Sequence, residues 1–387
     1  MRKSTELIHA GERTTAGNTP SLTTPIYETS TFIFESAAEL QAYAEGTSKG
    51  YLYSRYDNPT VVATEQKLAA VDGAECSLLF SSGQAASTHA LLTLLQQGDE
   101  VVCAAAIYGG THHLIANLLP RFGIHGRFVS LEQIADPAAV LGPRTKLVWF
   151  ESPINPTLRC VDVRAVAAAC KTAGVTTVVD NTFASPINQP VLAMGIDISM
   201  QSATKYLNGH SDVTAGVLSG SRSLLEPIMK ARRLMGATLD PQAAYALGRG
   251  LKTLTLRVAQ QNANAMAVAT ALERHPAIEK VYYPGLGSHP DHAIAARQMS
   301  GFGGMVTIDV KGGQAAAYRA FDRLRVMQRA TSLGGVESIC TLPILTSHTA
   351  MTDEELGAAG VTRGMIRMSI GLEDAADVIE DVEQALA

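Results

Sequence analysis

The chain is poor in cysteine and in long apolar stretches, and both shortages exclude classes of protein. It has five cysteines in 387 residues, scattered and never spaced as Cys-x-x-Cys: Cys76, Cys103, Cys160, Cys170 and Cys340. An odd, sparse set indicates reduced thiols in a cytoplasmic protein and argues against a disulfide framework or a zinc site. No run of about 18 apolar residues occurs, and the first residues lack an apolar signal segment, so we expect neither a membrane span nor export.

Strong charge of one sign is also missing. The net charge is −5 and there is no long basic run, so nucleic acid is not an expected partner. The pairs His112-His113 and His289…His292 have no well-placed acidic neighbours, so we expect no metal site. Hydrophobic residues make up 46% of the chain, enough to bury a sizeable core in one large or two medium domains.

Helical and apolar extended segments alternate from about residue 57. The predicted helices are Val61–Val71, Gln84–Gln96, Thr111–Arg121, Asp162–Ala173 and Ser223–Gly236. The predicted strands are Cys76–Ser81, Glu100–Ala105, Thr145–Phe150, Val175–Asp180 and Ile196–Ser202. This alternation is typical of an α/β fold, in which helices cover both faces of a mostly parallel sheet.

The pattern changes on either side of this region. After about residue 250 we predict helices Val258–Arg274, Gln314–Leu324 and Asp374–Leu386, with strands Ile278–Tyr282, Met305–Val310 and Met365–Ile370. Residues 1–56 are rich in Thr, Pro, Tyr and Gly and indicate an extended arm. We therefore predict an arm at 1–56, a large domain at 57–250 and a smaller α+β domain at 251–387.

Lys205 is the most informative residue. It follows the predicted strand Ile196–Ser202, in the run Ser202-Ala203-Thr204-Lys205, and a loop with Gly209 comes next. Burying an ammonium group costs several kcal/mol. That cost is explained if the amine forms a Schiff base with an aldehyde cofactor, of which pyridoxal 5′-phosphate (PLP) is the usual one. The Ser202 and Thr204 hydroxyls alternate to one face, where they can hold a phosphate.

Asp180 ends the β-branched run that begins at Val175. A carboxylate at the carboxyl end of a strand points into the ligand crevice of an open α/β sheet. Beside a pyridine nitrogen it would keep that nitrogen protonated, so that the ring can accept electrons. The alternative is a carboxylate that caps the next helix.

The turn Ser81-Ser82-Gly83-Gln84 joins a predicted strand to a predicted helix. Backbone N–H groups at a helix N-terminus form an anion site, and Gly83 allows close approach of a ligand. The turn therefore favours a phosphate site. An ordinary N-cap by Ser82 has the same geometry and remains open.

The segment from Asp197 to Ser211 matches, along its full length, the lysine-attachment signature of one family. The chain resembles the PLP-dependent enzymes of cysteine and methionine metabolism, from Leu7-Ile8-His9-Ala10-Gly11 to the run Arg367–Glu373. This family includes cystathionine γ-synthase, cystathionine γ-lyase, cystathionine β-lyase, methionine γ-lyase and O-acylhomoserine sulfhydrylases. The resemblance implies PLP fold type I and a homotetramer built from two active dimers.

The resemblance also implies roles for individual residues. Tyr53 and Arg55 would cross the dimer interface to the neighbour's PLP phosphate, which the Arg fork suits. The backbone N–H groups of Gly83 and Gln84 would hold the phosphate within the chain. Tyr108 would stack on the PLP ring and exchange a proton with the substrate or its leaving thiol.

On the substrate side, Arg367 matches the family's carboxylate-binding arginine. It alternates with the apolar Ile366 and Met368 in a predicted strand, so it takes the opposite face. Asn155 matches an asparagine near the cofactor and that carboxylate, and Ser332 matches a loop residue that contacts the lysine and the substrate. A turn role for Asn155 before Pro156 and a plain loop role for Ser332 stay open.

The substrate itself is less well defined. Gly110 stands where methionine γ-lyases typically place cysteine, and Thr331 stands where many cystathionine enzymes have glutamate. The run Gly335-Val336-Glu337-Ser338 resembles the lyase and γ-synthase branch. We therefore expect γ-elimination or γ-replacement of the cystathionine γ-synthase/γ-lyase type. A methionine γ-lyase, an O-acylhomoserine sulfhydrylase, an aminotransferase and a non-catalytic PLP-binding protein are the alternatives.

Overall fold

The computed structural model describes residues 2–12, 21–48, 50–349 and 351–387. The helices are α1 (Lys3–His9), α2 (Ala37–Ala44), α3 (Pro59–Asp72), α4 (Gly83–Leu94), α5 (Gly109–His113), α6 (Leu131–Ala135), α7 (Val163–Ala173), α8 (Ser185–Asn188), α9 (Arg222–Met235), α10 (Pro241–Leu251), α11 (Leu254–Leu272), α12 (His292–Gln298), α13 (Gly313–Arg323), α14 (Asp353–Ala358) and α15 (Ala375–Leu386). The strands are β1 (Cys76–Phe80), β2 (Glu100–Ala104), β3 (His125–Val129), β4 (Thr145–Glu151), β5 (Thr176–Asp180), β6 (Ile198–Ser202), β7 (Gly216–Gly220), β8 (Ile278–Tyr282), β9 (Met305–Val310), β10 (Gln328–Arg329), β11 (Ile339–Thr341) and β12 (Met365–Ser369).

The larger sheet has seven strands in the order β1-β7-β6-β5-β4-β2-β3. All neighbours run parallel except β7, which is antiparallel to both β1 and β6. The central strands are short apolar runs, and in β4 Leu147, Val148, Trp149 and Phe150 are completely buried. Strands of this kind need helices on both faces, so the sequence pattern and the fold agree. The predicted mostly parallel α/β sheet is confirmed.

The carboxyl ends of β4, β5 and β6 lie side by side at one edge of this sheet. Glu151, the last residue of β4, pairs with Asp180, the last residue of β5. Asp180 in turn pairs with Met200 of β6, two residues before that strand ends at Ser202. Because parallel strands present their carboxyl ends at the same edge, this topology gathers polar side chains where an α/β sheet binds its ligand.

The smaller sheet has five strands in the order β10-β11-β12-β9-β8, antiparallel except for the β10–β11 pair. A second hydrophobic core lies between this sheet and helices α11, α13 and α15. Arg367 in β12 pairs with Thr307 of β9 on one side and Thr341 of β11 on the other. The predicted second, smaller α+β unit is therefore present, and it delivers one buried cation.

One predicted helix, Thr111–Arg121, does not form as a single element. It is divided into α5, a π-helical turn Leu114–Leu118 and a 3₁₀ turn Leu119–Phe122. Pro120 lacks an N–H group, and its ring excludes the carbonyl of the preceding turn from the usual ladder. Gly123 then ends the segment with φ 71°.

The sequence pattern did not predict eleven of these elements: α1, α2, α6, α8, α10, α12, α14, β3, β7, β10 and β11. Helix α1 shows that the first residues are not simply extended chain, since its Leu7 is buried. The Lys67 Nζ atom donates to the Leu7 carbonyl over 2.6 Å and forms an ion pair with Glu12 over 3.3 Å. These contacts fasten α1 to α3. Residues 21–36 are mostly extended and lack regular helix or strand.

No helix among the described residues is long and apolar enough to cross a membrane.

One buried acid gives the stability of the fold a pH dependence. Asp72, at the end of α3, accepts hydrogen bonds from Gln201 Nε2 over 3.2 Å and from Ser199 Oγ over 3.4 Å. Burial raises the pKa of Asp72 to about 6, and these hydrogen bonds oppose the rise.

We predict that Asp72→Asn changes how stability depends on pH. Between about pH 4 and pH 6 the native chain keeps a proton on Asp72 that the unfolded chain releases, so native stability falls as pH rises through that window. The shift corresponds to roughly 3 kcal/mol. Urea unfolding at fixed protein concentration measures the free energy of unfolding of both proteins at about pH 4 and pH 7. Relative to the wild type, the asparagine variant should be more stable at pH 7 than at pH 4 by an amount of that order. A pH-independent difference would contradict the prediction.

Candidate active site

A cavity of about 630 Å³ opens where the carboxyl ends of β4, β5 and β6 meet the smaller sheet. It brings together most of the predicted site residues: Ser82, Gly83, Gln84, Tyr108, Asn155, Asp180, Ser202, Thr204, Lys205, Thr331, Ser332 and Arg367. It also holds residues that the sequence analysis did not single out, among them Glu151, Thr182, Thr214 and Ser347. The charged side chains of its lining are Glu151, Asp180, Lys205 and Arg367.

Lys205 lies in the turn directly after β6. Its Nζ atom donates to the Ser332 Oγ atom over 2.6 Å. Burial, with a smaller contribution from the nearby positive charge of Arg367, lowers the pKa of Lys205 to about 8. A substantial fraction of the amine is therefore neutral near physiological pH, as a nucleophile that attacks an aldehyde must be.

Ser332 links this lysine to Arg367. The Ser332 hydroxyl accepts from Lys205, and its carbonyl accepts from Arg367 Nη2 over 3.0 Å. Its backbone has φ 94°, outside the regions that an L-residue prefers. Such a conformation costs about 1–3 kcal/mol and persists where surrounding contacts fix it, most often at functional sites.

Asp180 has two hydrogen-bond donors, both from Thr182. The backbone N–H of Thr182 donates to Asp180 Oδ1 over 3.0 Å, and the Thr182 hydroxyl donates to the same oxygen. Burial raises the pKa of Asp180 to about 6, whereas these hydrogen bonds favour the ionised form. The carboxylate is thus held at the strand end and is ionised at neutral pH.

Glu151 is a second acid that the sequence analysis missed. It is buried, lies opposite Asp180 in the sheet, and its Oε1 atom accepts from the Tyr108 N–H over 2.6 Å. Burial first and the charge of Asp180 second raise the pKa of Glu151 well above its ordinary value. The signal was present in the sequence, because Glu151 ends an apolar strand just as Asp180 does.

The turn between β1 and α4 has the features of both an N-cap and a phosphate site. Ser82 Oγ caps α4 by accepting from the Ala85 N–H over 3.0 Å. The N–H groups of Gly83 and Gln84 remain without an acceptor among the described residues. A Cβ atom at Gly83 would lie 3.0 Å from the Ser202 Cβ, so only glycine keeps this corner open. An anion with several oxygens fits here.

Thr204 is less available than the sequence analysis supposed. Its hydroxyl donates to the Ala215 carbonyl over 3.2 Å and accepts from the Ala215 N–H over 3.0 Å. The Ser202 side chain has no hydrogen-bond partner among the described residues, so its hydroxyl is the freer of the two. Both residues nevertheless line the cavity.

Tyr108 stands at the start of α5 with 52% of its surface exposed. A Cβ atom at Gly110 would lie 2.6 Å from the Tyr108 Cε1 and 2.6 Å from the Gln84 Oε1. Any side chain at position 110 would therefore displace the tyrosine ring or the glutamine. The missing side chain at Gly110 thus allows the observed placement of Tyr108.

Arg367 is a buried cation held by two neutral groups. Its Nη1 atom donates to Asn155 Oδ1 over 2.9 Å and its Nη2 atom to the Ser332 carbonyl, while its Nε–H has no partner. No carboxylate among the described residues forms an ion pair with it, and burial lowers the pKa of Arg367 to about 10. An unsatisfied, uncompensated guanidinium facing a cavity is suited to an anionic ligand.

Tyr53 and Arg55 are not brought to this cavity. The Arg55 Nη1 atom donates to the Arg233 carbonyl of the same chain, and its guanidinium lies 4.7 Å from the centre of the Tyr56 ring. Tyr53 is 41% exposed. Within one chain, therefore, neither residue reaches the Ser82–Gln84 turn.

Comparisons with known proteins give a uniform result. The sequence profile of the family described as Cys/Met metabolism PLP-dependent enzyme matches residues 4–387. Cystathionine γ-synthase 1 (chloroplastic) from Arabidopsis thaliana is 43% identical over 381 residues, covering 98% of this chain and 68% of the relative. L-methionine γ-lyase from Pseudomonas deceptionensis is 40% identical (99% and 96% coverage), and cystathionine γ-lyase from Bacillus subtilis is 40% identical (100% and 99%). The crystal structure of metB from Corynebacterium glutamicum superposes with a TM-score of 0.92 at 38% identity, covering 100% of this chain and 98% of that one.

The chain belongs to the family of PLP-dependent enzymes of Cys/Met metabolism. The predicted family, PLP fold type I, the cofactor and enzymatic activity are thereby confirmed. The cavity fits the cofactor on its own chemistry. It offers an amine with a lowered pKa for the aldehyde, a carboxylate for the ring nitrogen and unpartnered N–H groups for the phosphate.

Proposed function

We propose that the chain catalyses γ-elimination or γ-replacement on sulfur amino acids or homoserine derivatives, as a cystathionine γ-synthase/γ-lyase type enzyme. The observation that carries the proposal is the pair of cations in one cavity: Lys205 with a pKa of about 8, and Arg367 without a counter-ion. The first suits an aldehyde cofactor and the second an α-carboxylate. The γ-synthase and γ-lyase relatives support the reaction type.

When bound, PLP would supply the electron-withdrawing group that stabilises negative charge on the substrate carbon next to the amine. The residues of the chain do the rest. Lys205 would hold the cofactor at its aldehyde, and the Lys205 amine would take the proton from Cα of the substrate. Asp180 holds the proton on the ring nitrogen. Arg367, fixed by Asn155, orients the substrate α-carboxylate.

Departure of the γ-substituent needs a second proton transfer and an acid. Lys205 would have to pass the Cα proton on to the cofactor before its amine, neutral again, could take a proton from Cβ. The Tyr108 hydroxyl then protonates the departing sulfur, so that the Cγ–S bond breaks to give a neutral thiol. Water releases a 2-oxo acid and ammonia, whereas an incoming thiol that adds at Cγ gives replacement.

Methionine γ-lyase or O-acylhomoserine sulfhydrylase activity is the second candidate, and one observation favours it. Thr331 lines the cavity where many cystathionine enzymes have glutamate, and the lining acids are Glu151 and Asp180. Among the described residues that line the cavity there is no further carboxylate for a distal ammonium group. A substrate whose side chain ends in an uncharged group suits the cavity lining near Thr331.

A substrate panel decides between these activities. Purified holoenzyme is given cystathionine, methionine, cysteine, or O-acylhomoserine with cysteine or sulfide, and 2-oxo acid and thioether are measured. Release of 2-oxobutanoate from cystathionine indicates a γ-lyase, and release from methionine alone the second candidate. Thioether formation from the ester indicates a synthase or sulfhydrylase. Transamination without release of sulfur would overturn the proposal.

We further propose that two chains share each phosphate site, within the homotetramer that the family resemblance implies. Of the described basic residues, Lys205 and Arg367 line the cavity but neither forms a hydrogen bond to the Ser82–Gln84 turn, and Arg55 lies outside its own chain's cavity. An exposed Tyr53 and Arg55 would serve the neighbouring chain. A cytoplasmic location, supported by five cysteines free of disulfides, completes the proposal.

We predict that Arg55→Ala weakens PLP retention and that this defect can be complemented. In a mixed dimer of Arg55→Ala and Lys205→Ala chains, one of the two sites has both an intact lysine and an intact arginine. Random mixing of equal amounts therefore gives about a quarter of wild-type activity overall and about half in the mixed dimer itself, more than either parent alone. Co-expression with two different affinity tags, followed by assay of the doubly tagged species, measures the recovery.

The matched control for complementation pairs Lys205→Ala with Asp180→Asn. Both changes lie in the same cavity of one chain, so no mixed dimer regains a complete site. Recovery in this control, or its absence in the Arg55 pair together with unchanged PLP affinity of Arg55→Ala, would contradict sharing between subunits.

A further inference from the structure

Two carboxyl groups lie next to each other at the carboxyl edge of the larger sheet. Glu151 ends β4, Asp180 ends β5, and the two residues pair in the sheet, so their side chains leave it on the same face. Both are buried, with 4% and 9% of their surface exposed. Neither forms an ion pair with a side chain of the described residues. Two acids in this position cannot both be ionised without strong repulsion.

Hydrogen-bond donors decide which of the two keeps a proton. Asp180 accepts from both the N–H and the hydroxyl of Thr182, and two donors stabilise a carboxylate. Glu151 has one protein donor, the N–H of Tyr108. The negative charge therefore belongs on Asp180 and the proton on Glu151. The pKa values agree with this distribution: burial raises that of Asp180 to about 6, and burial together with the charge of Asp180 raises that of Glu151 well above its ordinary value.

The other groups around Glu151 do not alter this distribution. From β2 comes the Cys103 thiol, whose own pKa is raised well above its ordinary value by burial and then by Glu151, so it stays neutral. Lys205 and Arg367 line the same cavity, but neither is paired with Glu151. Tyr108 approaches with its backbone N–H.

We propose that Glu151 is a positioning residue: as a neutral carboxylic acid it leaves Asp180 the single anion of the pair, and its Oε1 atom fixes the backbone of Tyr108 beside the cofactor. The inference rests on the proposed function in one respect: that function assigns Tyr108 and Asp180 as contacts of the PLP ring. One negative charge then matches one protonated ring nitrogen, so the buried site carries no uncompensated charge. Glu151 thus acts on two groups at once: it leaves the negative charge on Asp180, and it fixes the position of Tyr108.

The protonation state is tested by infrared difference spectroscopy on the chain without cofactor or substrate, so the result does not depend on turnover. At about pH 8, the wild-type minus Glu151→Gln spectrum should contain the C=O stretch of a protonated carboxylic acid. The matched wild-type minus Asp180→Asn spectrum should contain carboxylate bands. Carboxylate bands in the Glu151 difference would overturn the proposal. A failed substrate panel with a protonated Glu151 would count against the proposed function alone.

The positioning role is tested with two uncharged replacements of similar size. Glu151→Gln keeps neutrality and an oxygen acceptor for Tyr108, so kcat should stay within about 3-fold of wild type with an unchanged circular dichroism band of bound PLP. Glu151→Leu leaves the Tyr108 N–H unsatisfied, and we expect a ~10- to 100-fold lower kcat and a weaker cofactor band. Loss of activity in the glutamine variant to the level of leucine, or full activity in the leucine variant, would overturn the role. Should Glu151→Leu not fold, the glutamine variant and its infrared difference decide.

Discussion

Lys205→Ala is expected to reduce turnover by at least about 10⁴-fold, because it removes both the nucleophile for the cofactor and the base at Cα. Lys205→Arg should fail equally, since a guanidinium keeps the positive charge but does not form an imine. The visible absorbance of bound PLP should be lost in both variants. Purified variants are compared by kcat with the best substrate of the panel and by their absorption spectra.

A second lysine provides the control for this experiment. Lys230 lies on α9, exposed and paired with Glu226 over 2.8 Å, away from the cavity. Lys230→Ala should retain both colour and turnover. Turnover by Lys205→Ala within ten-fold of wild type would refute the assignment of the catalytic lysine.

The depressed pKa of Lys205 makes a separate prediction for the chain without cofactor. The folded amine loses its proton around pH 8, whereas an ordinary lysine does so near pH 10.5. The rate at which added PLP forms the coloured complex should therefore rise with pH and level off slightly above pH 8. Stopped-flow absorbance measures it. A rate that still increases steeply at pH 10 would show that burial does not depress this pKa.

Local patterns of the sequence were sufficient to predict which residues at strand ends lie in the cavity. Lys205 and Asp180 each follow an apolar run, and both lie in the cavity at the edge of the parallel sheet. Glu151 has the same signal after Thr145–Phe150 and was overlooked, which shows that the rule needs to be applied to every strand. The predicted face of Arg367 was also correct, since it points away from the core that Ile366 and Met368 enter.

Other features depend on contacts between distant parts of the chain. The bond between Arg367 and Asn155 joins residues 212 positions apart, and no local pattern encodes it. The antiparallel strand β7 begins and ends with glycine, which weakens the β-strand signal. Ser332 combines an unusual φ with hydrogen bonds from two residues far away in the sequence, Lys205 and Arg367. Packing, rather than local preference, decides these features.

Arg367→Ala is expected to lower kcat/KM for amino-acid substrates by roughly 10²- to 10³-fold, through loss of a buried charge partner for the α-carboxylate. Arg367→Lys should recover only part of this, because an ammonium group keeps the charge but lacks the planar fork. The variant should still bind PLP and show its colour, since Arg367 lies on β12, outside the predicted cofactor contacts. Steady-state kinetics and absorbance titration measure the two effects separately.

The same substitution could act only by disturbing Asn155 and Ser332, which would lose their donor. Two readouts distinguish that possibility from carboxylate binding. First, the decarboxylated analogue of the substrate should bind wild type and Arg367→Ala with equal affinity, because it has no group for the guanidinium. Second, removal of this positive charge should move the pKa of Lys205 upward from about 8, since Arg367 contributes to its depression. Equal loss for the amine and the amino acid, with an unchanged pH profile of cofactor capture, would leave Arg367 a purely structural residue.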